Sequence, residues 1–104
     1  MKYGRQICML YALLDRVAPS PAVTLNRAVA VAMVGGADLG LRLTRPLLDD
    51  PAMRRHHRLY AVRAHLLEMA GDVPAAAENY RRAAALTTSL PEQRYLNAGL
   101  ARLL

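Results

Sequence analysis

Three histidines, one cysteine and two arginines are the side chains here whose types and spacing could do chemistry. His56, His57 and His65 fall within one helical stretch, and a helix-borne metal site needs ligands three or four residues apart on one face. No carboxylate or cysteine stands at such a spacing beside them, and there is no His-Glu-x-x-His run. Solvated or partly packed histidines are therefore expected, and no metal. Cys8 has no histidine near it in sequence, which points to a small buried hydrophobe and not to a nucleophile. Gly35-Gly36 follows a helix where a phosphate-binding loop would follow a strand, and no Gly-x-x-x-x-Gly-Lys run occurs. With no paired carboxylates and no serine–histidine arrangement either, the sequence predicts no enzyme and no cofactor.

Arg27 and Arg63 are the sharper case. Val23, Ala30, Val31 and Val34 share a helix face with Arg27, and Leu59, Leu66, Leu67 and Ala70 share one with Arg63. A guanidinium on an apolar stripe must snorkel to water or find a partner, because an unpaired buried charge is very costly. Two outcomes are open: pairing with acids of this chain such as Asp15, Asp49 or Asp50, or contact with a partner protein.

The elements that would position these residues are all helical. A first helix is expected over about 5–17, with Ile7, Leu10, Tyr11 and Leu14 as its apolar stripe. The run Ala18-Pro19-Ser20-Pro21 ends it. The second, about 21–34, starts with Ser20 as cap and Pro21 in its first turn and stops at Gly35-Gly36. Only Thr24, Asn26 and Arg27 are strongly polar within it, so neighbours must bury it nearly all round. A third begins near Ala37 or Asp38, with Gly40 where another helix can approach closely, and Pro46 leaves its end open. The fourth is expected from Pro51, capped by Asp50, to about Ala70. The fifth runs from Asp72-Val73-Pro74 to about Leu86, and a sixth starts at the capping-box spacing of Ser89 and Glu92. Its inner side carries Leu96, Leu100 and Leu103. No strand signal appears.

Part of the chain repeats. Laying Leu25–Gly36 over Ala61–Asp72 aligns Arg27 with Arg63, Ala28 with Ala64, Met33 with Met69 and Gly35 with Gly71, an offset of 36 residues. Tetratricopeptide units, each a helix–turn–helix, have a period of about 34. Tyr60, Ala64 and Leu67, then Ala76, Tyr80 and Ala83, fall on that pattern's large and small positions; small residues let two helices approach and large ones fill the space beside them. Arg27 and Arg63 depart from it, since leucine is usual there, and the closing proline is displaced to Pro91. The expected architecture is all-α: one domain over 1–104, antiparallel helical hairpins in a tetratricopeptide-like array of about six helices. Units of about 21–51 and 52–88 are flanked by helices 5–17 and 90–104, because two units alone leave their outer faces bare.

Composition agrees with a globular domain: 104 residues, 54% hydrophobic and 21% charged. One cysteine rules out an intramolecular disulfide framework and fits a reducing compartment. No apolar run reaches the 18 or so residues of a membrane span, and no signal-peptide pattern is present, so a cytoplasmic location is expected. The net charge of +6 would suit acidic partners or nucleic acid. The basic residues, however, are spread through every helix, which disfavours direct DNA contact.

Leu10-Tyr11, Pro19-Ser20-Pro21, Leu25-Asn26-Arg27-Ala28-Val29-Ala30, Arg63-Ala64 with Leu66-Leu67, and Tyr80-Arg81-Arg82-Ala83 together resemble the C-terminal extension of bacterial extracytoplasmic-function RNA polymerase sigma factors. Those extensions are tetratricopeptide-like domains that follow two DNA-reading regions. The resemblance covers nearly the whole chain. It implies a regulatory, protein-binding domain of a sigma-factor-like transcription regulator, with the sigma core or RNA polymerase as partner and nothing catalytic. The promoter-reading regions and their helix-turn-helix are missing from this sequence. A stand-alone helical-repeat adaptor, or a basic nucleic-acid-binding helical domain, are the alternative functions. The candidate interaction residues are Asn26, Arg27, Val29, Met33, Arg63, His65, Glu68 and Met69. In a tetratricopeptide hairpin the first helix of each unit lines a groove, to which Leu25, Val29, Ala32 and Met33 contribute in the first unit. Ala61, His65, Glu68 and Met69 contribute in the second. Such a groove is expected to be covered by the first helix, by a second copy in a homodimer, or by the sigma core.

Overall fold

A computed structural model describes residues 20–104. The expected helix over 5–17, with Cys8 and Asp15, lies outside the described residues. The described chain is helical with no strand: α1 (Pro21–Gly35), α2 (Ala37–Thr44), a 3-10 turn (Arg45–Asp49), α3 (His57–Met69), α4 (Val73–Leu86) and α5 (Leu90–Leu103). Each helix packs on the next, and α1 also touches α3.

Local chemistry explains most boundaries. Pro21 occupies the first turn of α1, where its missing N–H costs nothing. Ser20 precedes it in extended backbone, but its side chain makes no capping bond; instead its carbonyl accepts from the Thr24 N–H and hydroxyl at 3.0 and 3.1 Å. Proline at the first position explains this, since the turn is already set by its ring. Gly36, at φ 101°, is the break between α1 and α2, a conformation that favours glycine. Gly71, at φ 84°, ends α3: its N–H bonds the Glu68 carbonyl, and the Asp72 N–H bonds the Leu67 carbonyl, both at 3.0 Å, which is a Schellman closure. Asp72 then caps α4 through its carboxylate and the Ala75 N–H at 3.2 Å.

Two expected elements are altered. Pro46 cannot supply the N–H of a continuing α-helix, and α2 tightens into the 3-10 turn at Arg45. The fourth expected helix does not start at Pro51. Asp50 closes a single turn there, its carboxylate accepting from the Ala52 N–H at 2.9 Å. α3 then begins at His57, with His56 Nδ1 accepting from the Arg58 N–H as its cap. The Arg54-Arg55-His56 run just before it has no apolar residue with which to extend a buried face. Its polarity favours a break.

The core joins Leu25 of α1, Leu47 of the 3-10 turn, Met53 of the turn before α3, Leu59, Tyr60 and Ala64 of α3, Tyr80, Ala83 and Ala84 of α4, and Leu96 of α5. Gly40 is buried against α1: a Cβ there would stand 2.7 Å from the Ala28 carbonyl oxygen, 2.9 Å from Ala32 Cβ and 3.1 Å from Leu66 Cδ1. The close approach expected at Gly40 is thus real. Gly99 does the same for α5, where an added Cβ would meet the Tyr80 ring at 2.9 Å. No helix among the described residues is long and apolar enough to cross a membrane.

Candidate protein-interaction face

The eight candidate residues divide sharply once their partners are known. Arg63 is half-buried, and its Nη1 donates to Thr44 Oγ1 at 2.8 Å and to the Leu41 carbonyl at 3.5 Å. The fully buried Thr44 hydroxyl in turn donates to Leu41 O at 2.9 Å. Arg63 therefore closes the C-terminus of α2, where exposed carbonyls favour a cation, and does not pair with Asp49 or Asp50. Burial, then the Arg45 charge, lower its pKa from the usual arginine value. The Arg63 head is thus engaged by the end of α2 and, among the described residues, pairs with no acid.

Glu68 is likewise spent within the fold. Its carboxylate accepts from the Tyr80 hydroxyl at 2.8 Å and from Arg102 Nη2 at 2.7 and 3.0 Å, tying α3 to α4 and α5. The hydrogen bonds from Arg102 and Tyr80 hold its pKa below the ordinary glutamate value. Burial and the bond to Glu68 push the Tyr80 hydroxyl up to about 12. Asn26 accepts from Arg58 Nη2 at 2.7 Å, linking α1 to the start of α3. Arg27 and Val29 are half-buried.

Met33, His65 and Met69 remain exposed, at 56% for Met33 and 50% for Met69. Leu25 and Ala32, expected to line an apolar groove, are buried in the protein's own packing. Part of the exposed apolar surface lies where helices end: Met33 and Val34 close α1, Leu39 opens α2, Met69 closes α3 and Val73 opens α4, while Leu90, Tyr95 and Leu104 are exposed on and beside α5. The packing of Leu66 on Gly40 sets the start of α2 beside the last turns of α3. Leu39 also lies over Gly35, its Cδ1 2.6 Å from where a Cβ would stand. Met33, Leu39 and Met69 thus belong to one end of the helix stack.

The histidines are engaged in other ways. His56 stacks on His57 with ring centroids 5.2 Å apart, and His57 Nε2 lies 3.0 Å from Glu92 Oε1. The spacing of Ser89 and Glu92 predicts a capping box, yet only half of it forms: Ser89 Oγ accepts from the Glu92 N–H at 3.3 Å, while the Ser89 N–H goes to Thr87 Oγ1 at 3.2 Å. The draw on the Glu92 carboxylate is His57, a contact between α3 and α5 that no local spacing announces. No group of three histidine, cysteine, aspartate or glutamate side chains able to hold a metal occurs among the described residues.

Comparison with known proteins finds an uncharacterized protein of Rhizobium meliloti (strain 1021) that is 36% identical over 95 residues. The match takes in 91% of this chain but spans only 22% of that relative's length. No family model matches the chain, and no solved structure matches it.

Proposed function

We propose that this chain is a tetratricopeptide-like protein-interaction domain whose helices pair as antiparallel hairpins. Its partner is the core of an extracytoplasmic-function-type sigma factor, and through it RNA polymerase in the cytoplasm. The observation that carries this reading is the exposed apolar end formed by Met33, Val34, Leu39, Met69 and Val73. Solvated apolar clusters on a small domain mark interaction surfaces, and methionine, flexible and polarizable, adapts to a partner's relief. The internal repeat places Met33 and Met69 at equivalent helix ends, 36 residues apart. The sigma-factor reading rests on the sequence resemblance, above all on Pro19-Ser20-Pro21 followed by Leu25-Asn26-Arg27-Ala28. The Rhizobium relative, several times longer than its matching segment, is consistent with such a segment working inside a larger protein.

The test is the solution mass of the chain alone and mixed with a purified sigma-factor core. Met33→Asp with Met69→Asp serves as the comparison, since both side chains are exposed and their replacement leaves the core intact. A complex with the core that the double variant loses, at unchanged helical content, is expected. A complex that survives the substitutions, or the absence of any complex, refutes the assignment. A dimer of the chain that the double variant abolishes makes the occupant of the same end a second copy.

A further inference from the structure

A second feature lies away from that apolar end. Pro51, Arg54, Arg55 and Arg82 line a pocket of about 280 Å³. Arg54 and Arg55 come from the turn that precedes α3, and Arg82 comes from α4. None of the four lining residues is acidic. No ion pair among the described residues joins these arginines to a carboxylate. Asp50, next in sequence to Pro51, has a carboxylate oxygen turned to the Ala52 N–H at 2.9 Å.

Tyr60 tethers the Arg82 side chain and the backbone at Arg54. Tyr60, buried at 6% exposure, carries the Arg82 guanidinium over its ring at 4.6 Å, and its hydroxyl donates to the Arg54 carbonyl. One core side chain thus fixes both walls of the pocket, the turn through its hydroxyl and α4 through its ring. Three guanidiniums lining one pocket suit a compact, multiply charged anion, because the planar fork donates two parallel hydrogen bonds to oxygens of a tetrahedral group. The ordering of Arg82 on the Tyr60 ring lowers the entropic cost of binding at that one contact.

We propose that this pocket binds a phosphate group, held by Arg54, Arg55 and Arg82 and positioned by Tyr60. The chemistry is that of free phosphate or of a small phosphorylated metabolite, and it is independent of the interaction role assigned to the apolar end. Calorimetric titration of the whole chain with inorganic phosphate and, in a second arm, with adenosine monophosphate, at ionic strength held constant with chloride, separates the two sources. Saturable one-to-one binding is expected. Loss of a single charge-assisted contact in Arg55→Gln or Arg82→Gln is expected to weaken it about tenfold or more. Arg94→Gln, exposed on α5, leaves it unchanged. Arg55→Gln keeps the test clear of any effect on the Tyr60 contact. Tighter binding of the nucleotide than of phosphate assigns the site to phosphorylated metabolites; equal or weaker binding assigns it to free phosphate. Heat that chloride reproduces, affinity unchanged in both arginine variants, or preference for a glutamate-rich peptide overturns the proposal.

Discussion

Tyr80 carries two roles in one side chain, since its ring packs under Gly99 of α5 while its hydroxyl donates to Glu68. Both partners of that bond have shifted pKa values, and their signs give the stability of the domain a shape in pH. Glu68 is held below its ordinary value of 4.5, so its contribution is present above that value and is lost as pH falls through the lower folded-state value. Tyr80 is raised from 10.0 to about 12. Its contribution is complete below pH 10 and is lost as pH rises from there toward 12, because the unfolded chain ionises first. Tyr80→Phe keeps the ring and removes the hydroxyl. It is expected to cost about 1 kcal/mol at neutral pH and to flatten the fall in melting temperature between pH 10 and 12; thermal melts across that range decide it, and an unaltered alkaline limb contradicts the bond. The bond of Arg63 to α2 was not legible for a related reason: a sequence shows that a guanidinium stands on an apolar stripe but not which carbonyls a neighbouring helix will leave open. The end of α2, reshaped by Pro46, provides them.

At the scale of the helix, close approach decides whether the packing is correctly described. Ala64 and Ala76, fully buried on α3 and α4, are expected to face each other, and Gly40 sits against the α1 backbone. Ala76→Leu and Gly40→Ala should each destabilise the domain by about 1 to 3 kcal/mol through overpacking. At Gly40 the nearest obstacle is a backbone carbonyl oxygen, which cannot rotate aside as a side chain can. Chemical denaturation of the two variants measures this; a midpoint equal to the wild type at either site removes that contact. Much at this scale was legible in the sequence, because it is coded locally. Pro21, Gly36, Gly71, Asp72 and Ser89 mark boundaries through conformations and caps that need only a few neighbouring residues. The start of α3 was not legible. Asp50-Pro51 is a good start signal that closes only one turn, and the competing cap at His56 belongs to a residue type with weak capping preference. Of the candidate interaction residues, Met33, His65 and Met69 are exposed, as a place on the outer helix faces allows. The bonds of Asn26 to Arg58 and of Glu68 to Arg102 were not legible, because the partners lie 32 and 34 residues away, beyond the reach of spacing rules.

For the molecule as a whole, α5 is the element on which the stack closes. It buries Leu96 at 1% exposure, packs Gly99 on the Tyr80 ring, supplies Glu92 to His57 and supplies Arg102 to Glu68. Gln93 adds a bond to the Ala84 carbonyl at 3.2 Å near the end of α4. Stacked helical units each contact chiefly their neighbours, so α5 shields the apolar face that α4 turns toward it. Deleting residues 90–104 would leave Tyr80 against water and the Glu68 carboxylate without Arg102. The core anchor, the ion pair and the aromatic shelf would all go together. At about 5 to 15 kcal/mol of total stability for a domain of this kind, their joint removal is expected to abolish cooperative melting. The shortened chain should then show a broad thermal transition by circular dichroism and bind a dye selective for exposed apolar surface. If it instead melts sharply at the temperature of the full chain, α5 is an appendage and the core closes within α1 to α4.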